Sequence, residues 1–125
     1  MLIDTDILIW YMRGNEKARA LIAAQPGFRI SVVTYMELVQ GMRNKAELRA
    51  LKKALRAWQA GIIHIDHEIS SKAMFYVEQH YLGHVLALAD ALIAATAVSM
   101  GLTLITGNHK HYRIIRDLHI SRFEP

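Results

Sequence analysis

The feature that most constrains the fold of this sequence is the run of residues 88–112. This run predicts, in order, a helix, a tight turn, a strand and a loop. The small apolar residues at 91–98 favour a helix that packs closely against a sheet, and Gly101 follows where helices often end in a left-handed residue. Residues 102–105 form a short apolar run bounded by turn residues, which is typical of a strand buried on both faces. We therefore expect an α/β protein.

One residue of this run does not share its apolar character. Asp90 lies near the start of the predicted helix, within the otherwise uncharged residues 85–106. A carboxylate among small apolar residues loses hydration, so it requires hydrogen bonds, a cation or a metal ion. Asp90 is the first candidate functional residue.

The composition excludes several classes of protein. A chain of 125 residues with 53% hydrophobic residues is long enough for one domain with a real core. The absence of Cys excludes a disulfide framework and suits a reducing cytoplasm, and no apolar run or opening signal predicts a membrane segment. The formal charge of +4 favours a polyanionic partner such as nucleic acid. Dinucleotide-binding and P-loop motifs are absent from the sequence.

Two further acids follow the first predicted strand, at residues 1–3. Asp4 ends this strand and Asp6 lies near the start of the next helix. Both could simply cap the helix, since Asp caps helices well. One cap needs only one residue, however, and two neighbouring acids repel each other, so a functional role is also indicated.

Glu37 follows the second predicted strand, at residues 28–33, and has two interpretations. Thr34 and Glu37 have the spacing of a capping box, in which Glu37 would bond back to the Thr34 amide. Alternatively, Glu37 is a third acid of a functional site. The spacing alone does not choose between them.

Residues 42–60 form a predicted basic helix with an apolar stripe. Most such runs are solvated helix faces, whereas the sharper hypothesis is contact with a phosphate backbone. The candidate phosphate-binding residues are Arg43, Arg49, Lys52, Lys53 and Arg56.

The rest of the chain continues the alternation of strands and helices. A third strand at 62–65 precedes a helix that Asp66 caps, a turn at Gly83 and His84 leads into the Asp90 helix, and residues 120–123 form a last edge strand. This alternation predicts a mostly parallel sheet of four to five strands covered on both faces.

Parallel strands bring their carboxyl ends to one edge of the sheet, where sites of such folds lie. Asp4, Glu37 and Asp90 can therefore meet there, and closely spaced carboxylates call for a hard divalent cation. Such a cation polarises a phosphoryl group and activates a water for in-line attack. A basic protein with this acidic pocket is consistent with a phosphodiesterase.

Three segments in this order resemble the PIN-domain ribonucleases, and among them the VapC-type toxins of prokaryotic toxin–antitoxin pairs. They are LIDTDILI at 2–9, SVVTYMELVQG at 31–41 and DALIAATAVSMGLTLITGN at 90–108. The resemblance covers nearly the whole chain and implies one domain, residues 1–125, with a three-layer α/β/α fold. It also implies an endoribonuclease dependent on Mg²⁺ or Mn²⁺, homodimerisation, and neutralisation by a cognate antitoxin.

The resemblance assigns roles to individual residues. Asp4 and Asp90 would be the main metal ligands, and Glu37 would bind the metal directly or through water and help orient the nucleophile. Thr106 would support Asp4 by a hydrogen bond, and Asn108 matches a polar position of the family.

The sequence departs from the family at two of these places. The family's TxNxxDF pattern places an acid where this chain has His111, which Tyr112 follows. Asp6 stands where the family usually has Asn or Ser, so it would supply part of the missing charge. For His111 we predict one firmly bound ion and a preference for Mn²⁺ over Mg²⁺, because imidazole is a poor ligand for Mg²⁺.

Two other functions are compatible with parts of this pattern. A PIN-like module that binds RNA or a partner without cutting is the main alternative, and the change to His111 is its best support. A phosphoacceptor signalling domain ranks lower. Asp66 could imitate its acceptor, but no Lys follows the last strand near Arg122.

Overall fold

The computed structural model describes residues 1–83 and 86–125. Strands and helices alternate along these residues: β1 (Leu2–Ile3), α1 (Thr5–Met12), α2 (Glu16–Ala23), β2 (Arg29–Ser31), α3 (Val32–Gln40), α4 (Lys45–Ala57), β3 (Gly61–Ile63), α5 (His67–His80), α6 (Leu88–Met100), β4 (Leu104–Thr106), α7 (His109–Tyr112) and β5 (Ile120–Arg122). Of the predicted turn at Gly83 and His84, His84 lies outside the described residues.

The strands form one five-stranded sheet in the order β3-β2-β1-β4-β5, and every pair is parallel. The central strand β1 pairs with β4 through Leu2 opposite Leu104 and Ile3 opposite Ile105. The sequence prediction of a mostly parallel sheet of four to five strands is therefore confirmed. All carboxyl ends face the same edge, where α1 and α3 begin.

Side chains alternate between the two faces of the sheet, as the strand period requires. Leu2 and Leu104 pack with α5 and α6 in one core cluster, whereas Ile3 and Ile105 pack with α1–α4 in the other. Two cores on opposite faces give the three-layer α/β/α architecture. No helix of the described residues is long and apolar enough to cross a membrane.

The second strand is shorter than its β-branched sequence predicts. Ser31 ends β2 and caps α3, because its hydroxyl accepts a hydrogen bond from the Val33 amide at 3.0 Å. Val33 and the buried Thr34 therefore lie inside the helix. The capping box between Thr34 and Glu37 is wrong, and Glu37 is left for another role.

The helix that carries Asp90 ends as predicted. Gly101 follows α6 in the left-handed conformation, with φ +64°. At its other end, α6 begins after Ala87, which gives no side-chain cap, and Asp90 lies in its first turn. A carboxylate in that position is favoured by the helix dipole.

Candidate functional site

Asp4 lies at the end of β1, where it caps α1. Its Oδ1 accepts a hydrogen bond from the Thr5 amide at 2.8 Å, and its Oδ2 accepts one from the Thr106 hydroxyl at 2.7 Å. The predicted bond from Thr106 is therefore present. Asp4 is only 4% exposed, and burial together with the nearby charges of Asp6 and Asp90 raises its pKa to about 7. The two hydrogen bonds therefore do not fully offset the cost of burying the negative charge of Asp4.

Asp6, in the first turn of α1, adds a second negative charge that further disfavours the charged form of Asp4. Its Oδ2 accepts a hydrogen bond from the Gly107 amide at 2.9 Å, whereas its Oδ1 is buried with no hydrogen-bond partner among the described residues. Burial raises the pKa of Asp6, and the charge of Asp90 acts in the same direction. A Cβ added at Gly107 would lie 2.6 Å from Asp6 Oδ2, so only glycine permits this approach.

Asp90, in the first turn of α6, lies near enough for its charge to act on Asp4 and Asp6. Its Oδ1 accepts a hydrogen bond from the Tyr112 hydroxyl at 3.2 Å, and its Oδ2 lies 3.6 Å from His111 Nδ1. Its side chain is 23% exposed, so the pocket opens to solvent here. The His111 side chain is 61% exposed, so it lies at the solvent-facing side of Asp90.

Tyr112 was not identified as a site residue from the sequence. Its side chain is fully buried, and its hydroxyl lies near both Asp4 and Asp90. Burial and these two negative charges raise its pKa far above the ordinary value, so the phenol stays protonated and acts as a donor. The available signal was its position directly after His111, where the family pattern has an aromatic residue.

Glu37 stands at the edge of the pocket, and its side chain is exposed. Its Oε1 accepts a hydrogen bond from the Thr5 hydroxyl at 2.7 Å, and that hydroxyl lies 3.0 Å from the Thr34 hydroxyl. Because one hydroxyl carries one proton, Thr5 donates to the carboxylate and accepts from Thr34. Glu37 is thus linked to Asp4 through Thr5, whose hydroxyl contacts Glu37 and whose backbone amide donates to Asp4.

The segment between β4 and α7 supports Asp4 and Asp6 by hydrogen bonds. The Thr106 hydroxyl, besides donating to Asp4, accepts a hydrogen bond from the Asn108 amide at 2.9 Å. Asn108 therefore fixes Thr106 through its backbone. Its side chain is exposed and makes no cap hydrogen bond to α7.

The pocket suits a hard divalent cation by its chemistry. Asp4, Asp6 and Asp90 share a site in which burial raises the pKa of the first two, and one buried oxygen of Asp6 has no partner in the described part of the chain. A cation would stabilise the charged carboxylates and give this oxygen of Asp6 a partner. Carboxylate oxygens are the ligands that Mg²⁺ and Mn²⁺ accept. Within residues 1–83 and 86–125, no three His, Cys, Asp or Glu side chains form a ready-made metal cage.

The basic residues lie apart from this pocket, with one exception. Arg49, Lys52, Lys53 and Arg56 are exposed along α4, whereas Leu51 and Leu55 are buried. Arg43, just before α4, forms an ion pair with Glu47 at 2.9 Å and lines a cleft of about 610 Å³ that also contains Glu37 and Arg13. Of the five candidate phosphate-binding residues, Arg43 is the one that shares a cleft with an acid of the site.

Comparison with known proteins relates this fold and pocket to one family. The profile of the PIN domain matches residues 1–116. A toxin–antitoxin complex from Klebsiella pneumoniae superposes with a TM-score of 0.82 at 30% identity, covering 99% of this chain and 98% of that one. The structure of VapBC-1 from nontypeable Haemophilus influenzae has a TM-score of 0.83 at 25% identity, covering 97% and 96% of the two chains.

A sequence relative supports the same family assignment as these structures. Ribonuclease VapC10 of Mycobacterium tuberculosis is 34% identical, over 94% of this chain and 90% of the relative. The chain therefore belongs to the PIN-domain family and, within it, to the VapC-type ribonucleases.

Proposed function

We propose that this VapC-type ribonuclease is a divalent-metal-dependent endoribonuclease and the toxin of a toxin–antitoxin pair. The observation that carries this proposal is the state of Asp4, which is buried beside Asp6 and Asp90 with a pKa raised to about 7. A protein keeps such an unfavourable cluster at a site where a cation compensates it. Mg²⁺ and Mn²⁺ are both suitable cations.

Asp4 and Asp90 are the proposed principal metal ligands. The Thr5 amide and the Thr106 hydroxyl hold Asp4 in place, and Asp6 adds negative charge from the first turn of α1. A bound divalent ion supplies Lewis-acid polarisation of the scissile phosphate and a nucleophilic water at neutral pH. Glu37, exposed and held by Thr5, would orient that nucleophile as a hydrogen-bond acceptor.

The test is RNA cleavage by the parent protein and by Asp90→Asn, with Mg²⁺ or Mn²⁺ present. Asn keeps the volume of Asp but removes the charge that a hard cation requires, so cleavage should fall more than about 100-fold. Asp117→Asn is the matched control, since Asp117 is exposed and bonds Tyr76 away from the pocket. It should cleave at the parental rate.

Two results would count against this proposal. A folded Asp90→Asn protein that cleaves RNA at the parental rate would exclude Asp90 as a ligand. A parent that binds RNA but never cleaves it in either metal would instead favour the PIN-like module that binds without cutting.

We also infer a cognate antitoxin, a homodimer and a cytoplasmic location. The structural neighbours are toxin–antitoxin complexes, which supports the antitoxin.

The evidence for the homodimer is a cleft of about 620 Å³ between α3 and α6. It is bordered by the exposed Met36 and Leu88, and none of the described residues that line it is Lys or Arg. Glu37 and Gln40 also line this cleft, but most of its described lining is apolar and none of it is cationic, which suits a second copy of the chain better than RNA. Sedimentation of the isolated chain would test the dimer.

A further inference from the structure

Two hydroxyl groups from one short segment, residues 106–112, contact the two proposed metal ligands. The Thr106 hydroxyl donates to Asp4 Oδ2 at 2.7 Å, and the Tyr112 hydroxyl donates to Asp90 Oδ1 at 3.2 Å. We propose that Tyr112 is a positioning residue, whose hydroxyl holds the Asp90 carboxylate in the orientation that binds the metal ion. This inference rests on the proposed metal-dependent function.

The packing of Tyr112 makes its hydroxyl a fixed donor. The ring is fully buried and packs in the same core cluster as Ala91, Ala94 and Ile115. A buried hydroxyl without a partner costs free energy, so the Asp90 carboxylate that accepts its hydrogen bond, with Asp4 also nearby, stabilises the hydroxyl here. The core therefore determines where the hydroxyl lies, and the hydroxyl in turn restrains Asp90.

Asp90 has little else to restrain it. Across residues 1–83 and 86–125, Tyr112 is the one side chain that donates a hydrogen bond to this carboxylate, since His111 lies farther away at 3.6 Å. Asp4, in contrast, is held by both a backbone amide and a hydroxyl. Residues that hydrogen-bond to metal ligands fix the orientation of those ligands, and their removal typically weakens metal binding about 10–100-fold.

The chain offers a clean substitution and a matched control. Tyr112→Phe removes only the hydroxyl, and Phe is also the residue of the family pattern at this place. Tyr76 is likewise buried, and its hydroxyl donates to Asp117 Oδ2 at 3.3 Å. Tyr76→Phe therefore removes the same kind of bond from a pair that lies outside the acidic pocket.

The experiment is calorimetric titration of the metal-stripped proteins with Mn²⁺, after circular dichroism has confirmed their folds. Tyr112→Phe should bind Mn²⁺ about 10-fold more weakly than the parent. Tyr76→Phe should bind it as the parent does, although both substitutions lower stability. In an Asp90→Asn background, Tyr112→Phe should cause no further loss, because the carboxylate it positions is gone.

Several outcomes would overturn the inference. Parental affinity in Tyr112→Phe would do so directly, and an equal loss in Tyr76→Phe would indicate general loosening of the core. A full loss on adding Tyr112→Phe to Asp90→Asn would mean that the hydroxyl acts elsewhere. If the parent binds no Mn²⁺, the proposed function itself is contradicted. If the parent and Tyr112→Phe bind Mn²⁺ equally tightly, only the role of Tyr112 is contradicted.

Discussion

The acidic pocket and the basic face of α4 carry opposite charges and opposite relations to solvent. Asp4 is buried and its pKa is raised by burial and by its acidic neighbours. Lys52, Lys53 and Arg56 are exposed on α4 and remain hydrated. A buried charge must be compensated, whereas an exposed charge needs no partner. The pocket therefore indicates a function much more strongly than the basic face does.

The largest effect should follow from removing the buried charge of Asp4. The folded protein holds the Asp4 proton up to a pKa of about 7, whereas the ordinary pKa of an aspartate is 3.8. The folded state thus binds more protons between these values, and the free energy of unfolding of the metal-free protein should fall as the pH rises from about 4 to 7. The upper limit of this loss is on the order of 4 kcal/mol.

Asp4→Asn should flatten this dependence and make the metal-free protein more stable at pH 7. A smaller slope should remain, because the pKa of Asp6 is also raised. Urea unfolding in EDTA across this pH range measures both effects, with Asp117→Asn as the control that keeps the full slope. Equal slopes in the parent and Asp4→Asn would show that burial does not disfavour the charge of Asp4.

Neutralising the basic face provides the opposite test. If Arg49, Lys52, Lys53 and Arg56 bind phosphates, changing all four to Gln should weaken binding of single-stranded RNA. The slope of log affinity against log salt should become shallower by about 0.7 for each phosphate that the protein no longer neutralises. Binding is measured in the Asp90→Asn background so that the RNA stays intact.

A single-charge comparison sharpens this measurement. Lys53→Gln on α4 should make the slope of log affinity against log salt shallower. Lys17→Gln removes an exposed charge from α2 and should leave that slope unchanged. An unchanged slope in the fourfold variant would mean that the face is only solvated.

The smallest effect is expected at the rim of the pocket, where His111 Nδ1 lies 3.6 Å from Asp90 Oδ2. The parent should prefer Mn²⁺ over Mg²⁺ and hold one ion firmly. His111→Asp should narrow that preference by roughly several-fold, because a carboxylate suits Mg²⁺ better than imidazole does. Calorimetry and cleavage assays in each metal measure it, with the exposed His119→Asp as control. Two tightly bound ions in the parent would contradict the role given to His111.

The sequence was sufficient for those features that depend on neighbouring residues or on family pattern. The small-residue helix ending at Gly101, the parallel sheet and the hydrogen bond from Thr106 to Asp4 were all predicted, and the structure confirms them. The first two follow from local pattern and from the alternation of strands and helices, and the third from the resemblance. The fold was therefore accessible without coordinates.

Two contacts between distant residues were missed, and one local feature was mistaken. Tyr112 meets Asp90 across 22 positions and Gly107 meets Asp6 across 101, and neither spacing leaves a periodic signal. The capping box at Thr34 failed because Ser31, three residues earlier, could cap the same helix. Both Ser31 and Thr34 can cap a helix, and sequence spacing does not show which one does when the end of the preceding strand is uncertain by a few residues.

The tight approach of Gly107 to Asp6 also limits the order in which this protein can change during evolution. Any side chain at 107 would collide with the carboxylate, and would approach the Phe123 carbonyl oxygen to 3.3 Å. A shorter residue at position 6, such as the Ser common in the family, would vacate the first of these positions. A substitution at 107 should therefore cost less stability after Asp6 has been replaced than before, so the two positions are expected to change together.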